Sequence, residues 1–265
     1  AVGRRGPVAG RPGLNRTAAV RIALFSETFL PKVDGVVNTL CRLLEHLDDR
    51  GHDSILFAPA GGPATYGSTP VIGLPGIGLP HYRELKVVAP WTRVGGQLEA
   101  FDPELIHVLN PFFLGVGGLR QARRLAVPAV ASFHTDVPGY LQSYGYGLLA
   151  RPAWRYLRWL HSHACLNLCP STATMAQLEA HGLRDLALWS RGVDARAFSP
   201  AHRSVAWRQR LSAGDVTAPL LLYVGRLAAE KRVSWFGPLL EALPGVRLAL
   251  VGDGPAAPKL RRQLG

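Results

Sequence analysis

The chain has 265 residues, 48% of them hydrophobic, and a formal net charge of +12. That length suits one large α/β domain or two modest ones, and the apolar runs fall short of the roughly 20 residues that a membrane span requires. The basic excess favours anionic partners such as nucleotides, phosphates or anionic lipid; a nucleic-acid partner is set aside, because no recognised module or aromatic–basic platform accompanies the charge.

Residues 1–19 are basic and rich in Gly and Pro, with Arg4, Arg5, Arg11 and Arg16. They lack the apolar segment of a signal peptide and read as a disordered leader. Val20–Phe25 is the first predicted strand. A loop over Ser26–Asp34 ends at Gly35. The following helix carries apolar residues at Val36, Val37, Leu40, Leu43, Leu44 and Leu47 and stops at Gly51. Ser54–Ala58 is the next strand, so the chain opens with a βαβ unit that sets Gly35 at a helix amino terminus.

A Gly/Pro-rich passage over residues 59–80 holds one predicted strand, Val71–Leu74. Helical character returns around Thr92–Phe101. Leu105–Leu109 reads as a buried strand and leads into a loop with Asn110 and Pro111. Residues 115–126 read as helix and Ala129–Phe133 as strand, with His134-Thr135-Asp136 at its carboxyl end. A helix from Arg151 to His163 leads to strand Cys165–Leu168. Ser171 is a predicted N-cap, and Leu186–Trp189 is a short strand. Repeated strand–helix alternation without a hairpin signal implies a parallel, doubly wound sheet.

Cys41, Cys165 and Cys169 are an odd, sparse set, which favours a reducing compartment over a disulfide framework. Cys165 and Cys169 read as buried thiols rather than a metal pair. Residues 148–161 interleave Trp154, Tyr156 and Trp159 with Arg151, Arg155 and Arg158. Such a helix either meets an anionic membrane surface or turns an ordinary apolar stripe to the core.

Residues 196–218 are polar and irregular and read as a linker. A new alternation then begins: strand Leu220–Val224, helix Val233–Leu243, strand Arg247–Val251, and Gly252-Asp253-Gly254-Pro255 before a last helix. Two strands cannot bury both faces of a parallel sheet, so the second domain, 219–265, is expected to be incomplete. Gly225 ends the first of these strands. Arg226 follows, and Lys231 is set near the start of the next helix. An Arg fork and a Lys point charge facing a helix amino terminus suit a diphosphate. The local pattern alone equally allows solvated loop charges.

Four ordered pieces of sequence resemble family-4 retaining glycosyltransferases. They are Ser26–Thr39, Phe133-His134-Thr135-Asp136, Arg191-Gly192-Val193-Asp194 with Phe198 and Pro200, and Val224-Gly225-Arg226-Leu227 with Glu230-Lys231 and Val251–Pro255. The similarity is greatest to GDP-mannose-dependent α-mannosyltransferases and related lipid glycosyltransferases. It implies a GT-B fold: a complete amino-terminal Rossmann-like domain over 20–195 on the acceptor side, then the nucleotide-sugar domain. It implies a hexosyltransferase drawing on GDP-mannose or a UDP-sugar, without a metal, and acting on a lipid or saccharide acceptor. The expected place is the cytoplasm, including the inner face of the plasma membrane. Arg226 and Lys231 then match the pair that neutralises the departing diphosphate. Gly35 matches a loop Gly whose N–H approaches it, a plain turn being the other reading. His134 matches a residue beside the donor sugar, a purely structural histidine being the other reading. Asp136 either orients the acceptor or caps the following helix, Asp194 either contacts ligand or binds turn backbone, and Asn110 is a further candidate contact. The family's pair of Glu residues in the second half of the donor domain has no counterpart here. A truncated, catalytically inactive nucleotide-binding remnant is therefore the alternative expectation.

Overall fold

The computed structural model describes residues 18–79 and 82–264. Apart from residues 18 and 19, the basic leader lies outside the described residues. Strand β1 (Arg21–Ser26) leads through a loop to helix α1 (Gly35–Asp49) and then β2 (Asp53–Pro59). Strands β3 (Thr65–Tyr66), β4 (Thr69–Leu74), β5 (Gly76–Leu79) and β6 (Tyr82–Val88) precede helix α2 (Gly95–Phe101). Then come β7 (Leu105–Leu109), α3 (Phe113–Leu125), β8 (Ala129–Ser132), α4 (Val137–Ser143) and α5 (Ala150–His161). Next are β9 (Leu166–Cys169), α6 (Thr172–Ala180), β10 (Leu186–Leu188) and α7 (Val205–Leu211). The chain continues with β11 (Leu220–Val224), α8 (Phe236–Ala242), β12 (Arg247–Val251) and α9 (Ala257–Leu264).

Among the described residues an eight-stranded sheet runs in the order β10-β9-β8-β7-β1-β2-β4-β3. Its pairings are parallel except β3 with β4. Side chains alternate across a strand, and β1 shows both faces in use. Ile22 and Leu24 join Val37, Leu40 and Leu44 of α1 in one apolar cluster. Phe25 points the other way, stacks on Phe57 at 4.8 Å, and lies so close to Gly118 of α3 that a Cβ there would sit 2.8 Å from its ring. Helices α1 and α3 therefore cover opposite faces, as a doubly wound sheet requires. Each fully buried Leu or Val of the α1 face contributes roughly 1.5–3 kcal/mol. Asp34 caps α1, its Oδ1 accepting from the N–H groups of Val36 and Val37 at 2.9 Å each. Gly51 closes the helix in the left-handed region, φ +71°, as its position predicts.

The chain divides into two compact units. The first holds the eight-stranded sheet, comprising the described residues up to His134 with Leu160–Cys169 and Leu183–Leu188. The second comprises Thr135–Trp159, Pro170–Gly182 and the residues from Trp189 onward. Its sheet is the parallel pair β11–β12, packed by Leu227, Val233, Ala257 and Leu260.

Several local expectations are corrected. The Gly/Pro-rich passage is not mostly loop: β5 and β6 form an antiparallel hairpin, and β3 folds back on β4. Gly76 and Gly78 hide the signal of β5, because Gly has low strand propensity and marks close backbone approach; a Cβ on Gly76 would meet the Val87 carbonyl oxygen at 3.0 Å. Helix α7 forms inside the predicted linker, capped by Ser204. The helix expected over Val233–Leu243 is a 3-10 turn at Val233–Trp235 followed by the seven-residue α8. Cys169 is buried, but Cys165 is exposed, because it precedes β9 rather than lying within it.

Candidate active site

The strand order reverses at β1 and β7, whose helices leave in opposite directions. In such sheets ligands bind outside the carboxyl ends of the strands at that crevice. In the first unit this end is built from the loop after β1, from Asn110 after β7, and from Ser132 and His134 at the end of β8. Asn110 takes a left-handed backbone, φ +51°, and its N–H donates to the Ser132 carbonyl oxygen at 2.8 Å. Asn and Asp tolerate that conformation better than most residues.

Glu27 joins the two sides of the crevice. Its Oε1 accepts from the N–H groups of Phe112 at 2.8 Å and Gly115 at 3.0 Å, at the start of α3. Burial pushes the carboxyl up and outweighs the backbone N–H groups that pull it down. The sequence reading assigned Glu27 no role. Its partners lie 85 and 88 residues away, a distance no local pattern spans; the only signal was a carboxylate set between a buried strand and an apolar loop.

Gly35 begins α1, and its carbonyl accepts from Thr39 Oγ1 at 2.7 Å. Asp34 already engages Val36 and Val37, and Lys32 Nζ lies 2.8 Å from its Oδ2. Burial opposes ionisation of Asp34, yet Lys32 and the two N–H groups together hold its carboxyl below the usual range. An anion at this end of α1 would meet Gly35 rather than the next two donors. His134 is half-buried, and its Nε2 lies 3.0 Å from Ser132 Oγ. The same hydroxyl lies 3.1 Å from Nε2 of buried His107, another residue the sequence reading passed over.

The remaining predicted residues belong to the second unit. Asp136 caps α4, with Oδ1 accepting from the Gly139 N–H at 2.9 Å, and its Oδ2 accepts from Gln177 Nε2 at 3.1 Å. Asp194 Oδ1 accepts from the N–H groups of Arg196 and Ala197, both at 3.0 Å. Both carboxylates thus hold backbone, one of the two roles their positions suggested.

Arg226 sits in the loop that leaves β11, and this loop is pinned to the loop that leaves β12. The Gly225 N–H donates to the Val251 carbonyl, the Leu227 N–H to the Asp253 carbonyl and the Ala256 N–H to the Leu227 carbonyl, each at 2.9 Å. Gly252 and Gly254 permit this approach: a Cβ on either would fall on a carbonyl oxygen, of Gly225 and Leu227 respectively. Tyr223 Oη adds a bond to the Arg226 carbonyl at 2.8 Å. Lys231 ends a 3-10 turn, Ala229–Lys231, and Arg232 follows in the left-handed region, φ 52°. This corrects the expected helix start, since α8 begins only at Phe236. An anion here meets side chains and loop N–H groups rather than a helix end. Within the same turn Glu230 accepts from Tyr144 Oη at 2.7 Å.

Tyr223→Phe removes one bond that holds the Arg226 backbone, worth about 0.5–1.5 kcal/mol. If this loop holds a diphosphate, as the sequence resemblance implies, affinity for such a ligand is expected to fall roughly three- to tenfold, with the far-ultraviolet circular dichroism spectrum unchanged. Calorimetric titration measures it; an affinity equal to that of the wild type would detach Tyr223 from the site.

Comparison with known proteins agrees with this architecture. The family profile described as Glycosyltransferase Family 4 matches residues 33–197. A Mycobacterium tuberculosis protein named GDP-mannose-dependent alpha-mannosyltransferase is 42% identical over 241 residues, covering 89% of this chain and 63% of its own length. The Arabidopsis thaliana sulfoquinovosyl transferase SQD2 is 35% identical over 241 residues, covering 89% of this chain and 47% of its own. This chain therefore spans about half to two thirds of these relatives. The crystal structure of Anabaena Alr3699/HepE in complex with UDP and glucose superposes with a TM-score of 0.66 at 20% identity, covering 92% of this chain and 65% of that one. That likeness bears on the fold, which is of the GT-B type.

Proposed function

The chain belongs to Glycosyltransferase Family 4, and we propose that it takes part in retaining transfer of a hexose, mannose foremost, from a nucleoside-diphosphate sugar to a lipid or saccharide. We place the acceptor-side domain over residues 20–195, a linker over 196–218 and the start of the donor domain from 219. The observation that carries the proposal is the Arg226 loop, locked against the Gly252–Gly254 turn at the carboxyl ends of two parallel strands.

The chemistry follows from where charge develops. When the bond between sugar carbon and phosphate oxygen breaks, negative charge grows on the departing diphosphate. Arg226 offers a planar fork and Lys231 a mobile ammonium to that charge, a role that asks for no metal. Gly35, at the start of α1, presents its N–H with no side chain in the way, and we assign it to anion binding. His134 stands beside the transferred sugar, Asn110 lines the crevice, and Asp136 and Asp194 shape the backbones on which ligand contacts depend. GDP-mannose is the preferred donor, because the relative that is 42% identical carries that dependence in its name.

A lipid acceptor fits the surface of α5. Arg151, Arg155 and Arg158 are exposed along it, and Trp159 is half-exposed beside Tyr156, its ring centroid 5.8 Å away. Leu157 and Leu160 are buried, so the core stripe and the basic aromatic face occupy different sides of one helix. No described helix is long and apolar enough to cross a membrane. The proposal sets the protein in the cytoplasm, peripheral to anionic lipid on the inner face of the plasma membrane.

Donor choice is tested by titrating the chain with GDP-mannose and with UDP-glucose. GDP-mannose is expected to bind at least about tenfold tighter, a difference of ~1.4 kcal/mol. Equal or tighter binding of UDP-glucose would move the assignment to the UDP-sugar branch.

A further inference from the structure

We infer that Ser132 and His107 are positioning residues for His134, a buried relay that couples the protonation of its ring nitrogens to that of His107. The functional weight of the relay rests on the proposal that His134 faces the transferred sugar; its existence does not.

Ser132 is the last residue of β8 and is fully buried, at 0% exposure. Its hydroxyl lies 3.1 Å from His107 Nε2 and 3.0 Å from His134 Nε2. The sheet register explains the meeting. Leu109 and Ser132 are partners across β7 and β8, and His107, two residues before Leu109, shares its face. His134, two residues beyond Ser132, returns over the same hydroxyl.

A serine hydroxyl has one proton to give and lone pairs with which to accept. In a buried place, an O–H aimed at no acceptor costs about 1–3 kcal/mol. Ser132 therefore donates to one Nε2 and accepts from the other. Two protonated Nε2 atoms would leave the O–H without an acceptor. Two unprotonated ones would set a ring lone pair against the lone pairs of the oxygen. The neutral rings are thus held in opposite tautomers, one protonated on Nε2 and the other on Nδ1. Burial keeps His107 neutral by lowering its pKa to about 4, so the relay does not jam by charging at its inner end.

The consequence for His134 is that its tautomer is tied to that of His107. If His107 donates to Ser132, Ser132 donates to His134 Nε2, and His134 Nδ1 is a donor. If the chain runs the other way, His134 Nδ1 is an acceptor. In both cases the hydrogen-bonding character of His134 Nδ1 is set together with the tautomer of His107.

The test is long-range proton–nitrogen correlation spectroscopy of the isotope-labelled chain near neutral pH. The two rings are assigned from His107→Gln and His134→Gln. Opposite tautomers at the two rings are expected. Ser132→Ala is expected to uncouple the two rings and shift the tautomer balance of His134, and Ser132→Thr, which restores the hydroxyl, to return the wild-type pattern. The same tautomer at both rings, or a His134 spectrum unmoved by Ser132→Ala, overturns the relay. Should Ser132→Ala fail to fold, the wild-type and Ser132→Thr spectra still decide. Adding GDP-mannose separates the two ideas: opposite tautomers together with a His134 ring that the ligand leaves unmoved uphold the relay and refute the place of His134 beside the sugar.

Discussion

Replacing Arg226 and Lys231 together by Ala is expected to weaken GDP and GDP-mannose binding by at least about a hundredfold. A hydrogen bond to a charged group contributes about 1.5–3 kcal/mol, so losing two costs roughly 3–6 kcal/mol, or about 10²- to 10⁴-fold in affinity. Both side chains are exposed, which points to the lower end, because solvent and salt screen exposed charges. Arg226→Lys should fall between wild type and the double variant, since it keeps the charge but not the planar fork. The loop itself is held by backbone bonds and by Gly252 and Gly254, so the variants should fold as the wild type does. Calorimetric titration at two salt concentrations reads the result. An unchanged affinity in a folded double variant would remove the diphosphate assignment, and with it the main support for the proposed reaction.

The second large effect is in stability against pH. Buried His107 has its pKa lowered from 6.5 to about 4 by desolvation. The sign follows from proton counts. Between pH 6.5 and about 4 the unfolded chain binds a proton at this position and the folded chain does not. Stability from His107 is complete above pH 6.5, declines as pH falls toward about 4, and is level below that. The integrated loss is on the order of 3 kcal/mol, at ~1.4 kcal/mol per pKa unit. Buried His161, lowered chiefly by desolvation, acts in the same direction. Glu27, raised chiefly by burial, acts in the opposite one. Urea unfolding of the wild type and of His107→Gln, compared point by point, isolates the first term. The difference in unfolding free energy between the two chains should shrink as pH falls through this window. A difference that stays constant would show that His107 is not a neutral buried group.

How much of this was legible in the sequence depended on how local each cause is. The apolar runs of β1 and β7 announce themselves, because a strand buried on both faces is a short unbroken hydrophobic run; β11 and β12 read the same way, although Leu222, Val224 and Val251 are exposed. Ser171 and Gly51 mark helix ends through chemistry that acts within three residues. The β5–β6 hairpin was missed because half of β5 is Gly, where propensity says little and pairing says everything. The site divides in the same way. Gly35, His134, Arg226 and Lys231 are candidates that an ordered resemblance proposes. Glu27, His107 and Tyr223 were not legible, because each acts through a partner that only the fold brings near.

The sheet of the first unit ends in two very short strands, β3 with two residues and β10 with three. An open strand edge is a row of unpaired donors and acceptors that invites a strand from another molecule. Among the described residues the six strands between them have a neighbour on each side, although β3 reaches only Thr69 and Pro70 of β4. The open margins of this sheet are therefore the two stubs and the end of β4 that runs past β3. Margins so short give an incoming strand few groups to pair with, and it is their shortness rather than a row of charges that limits edge-to-edge growth.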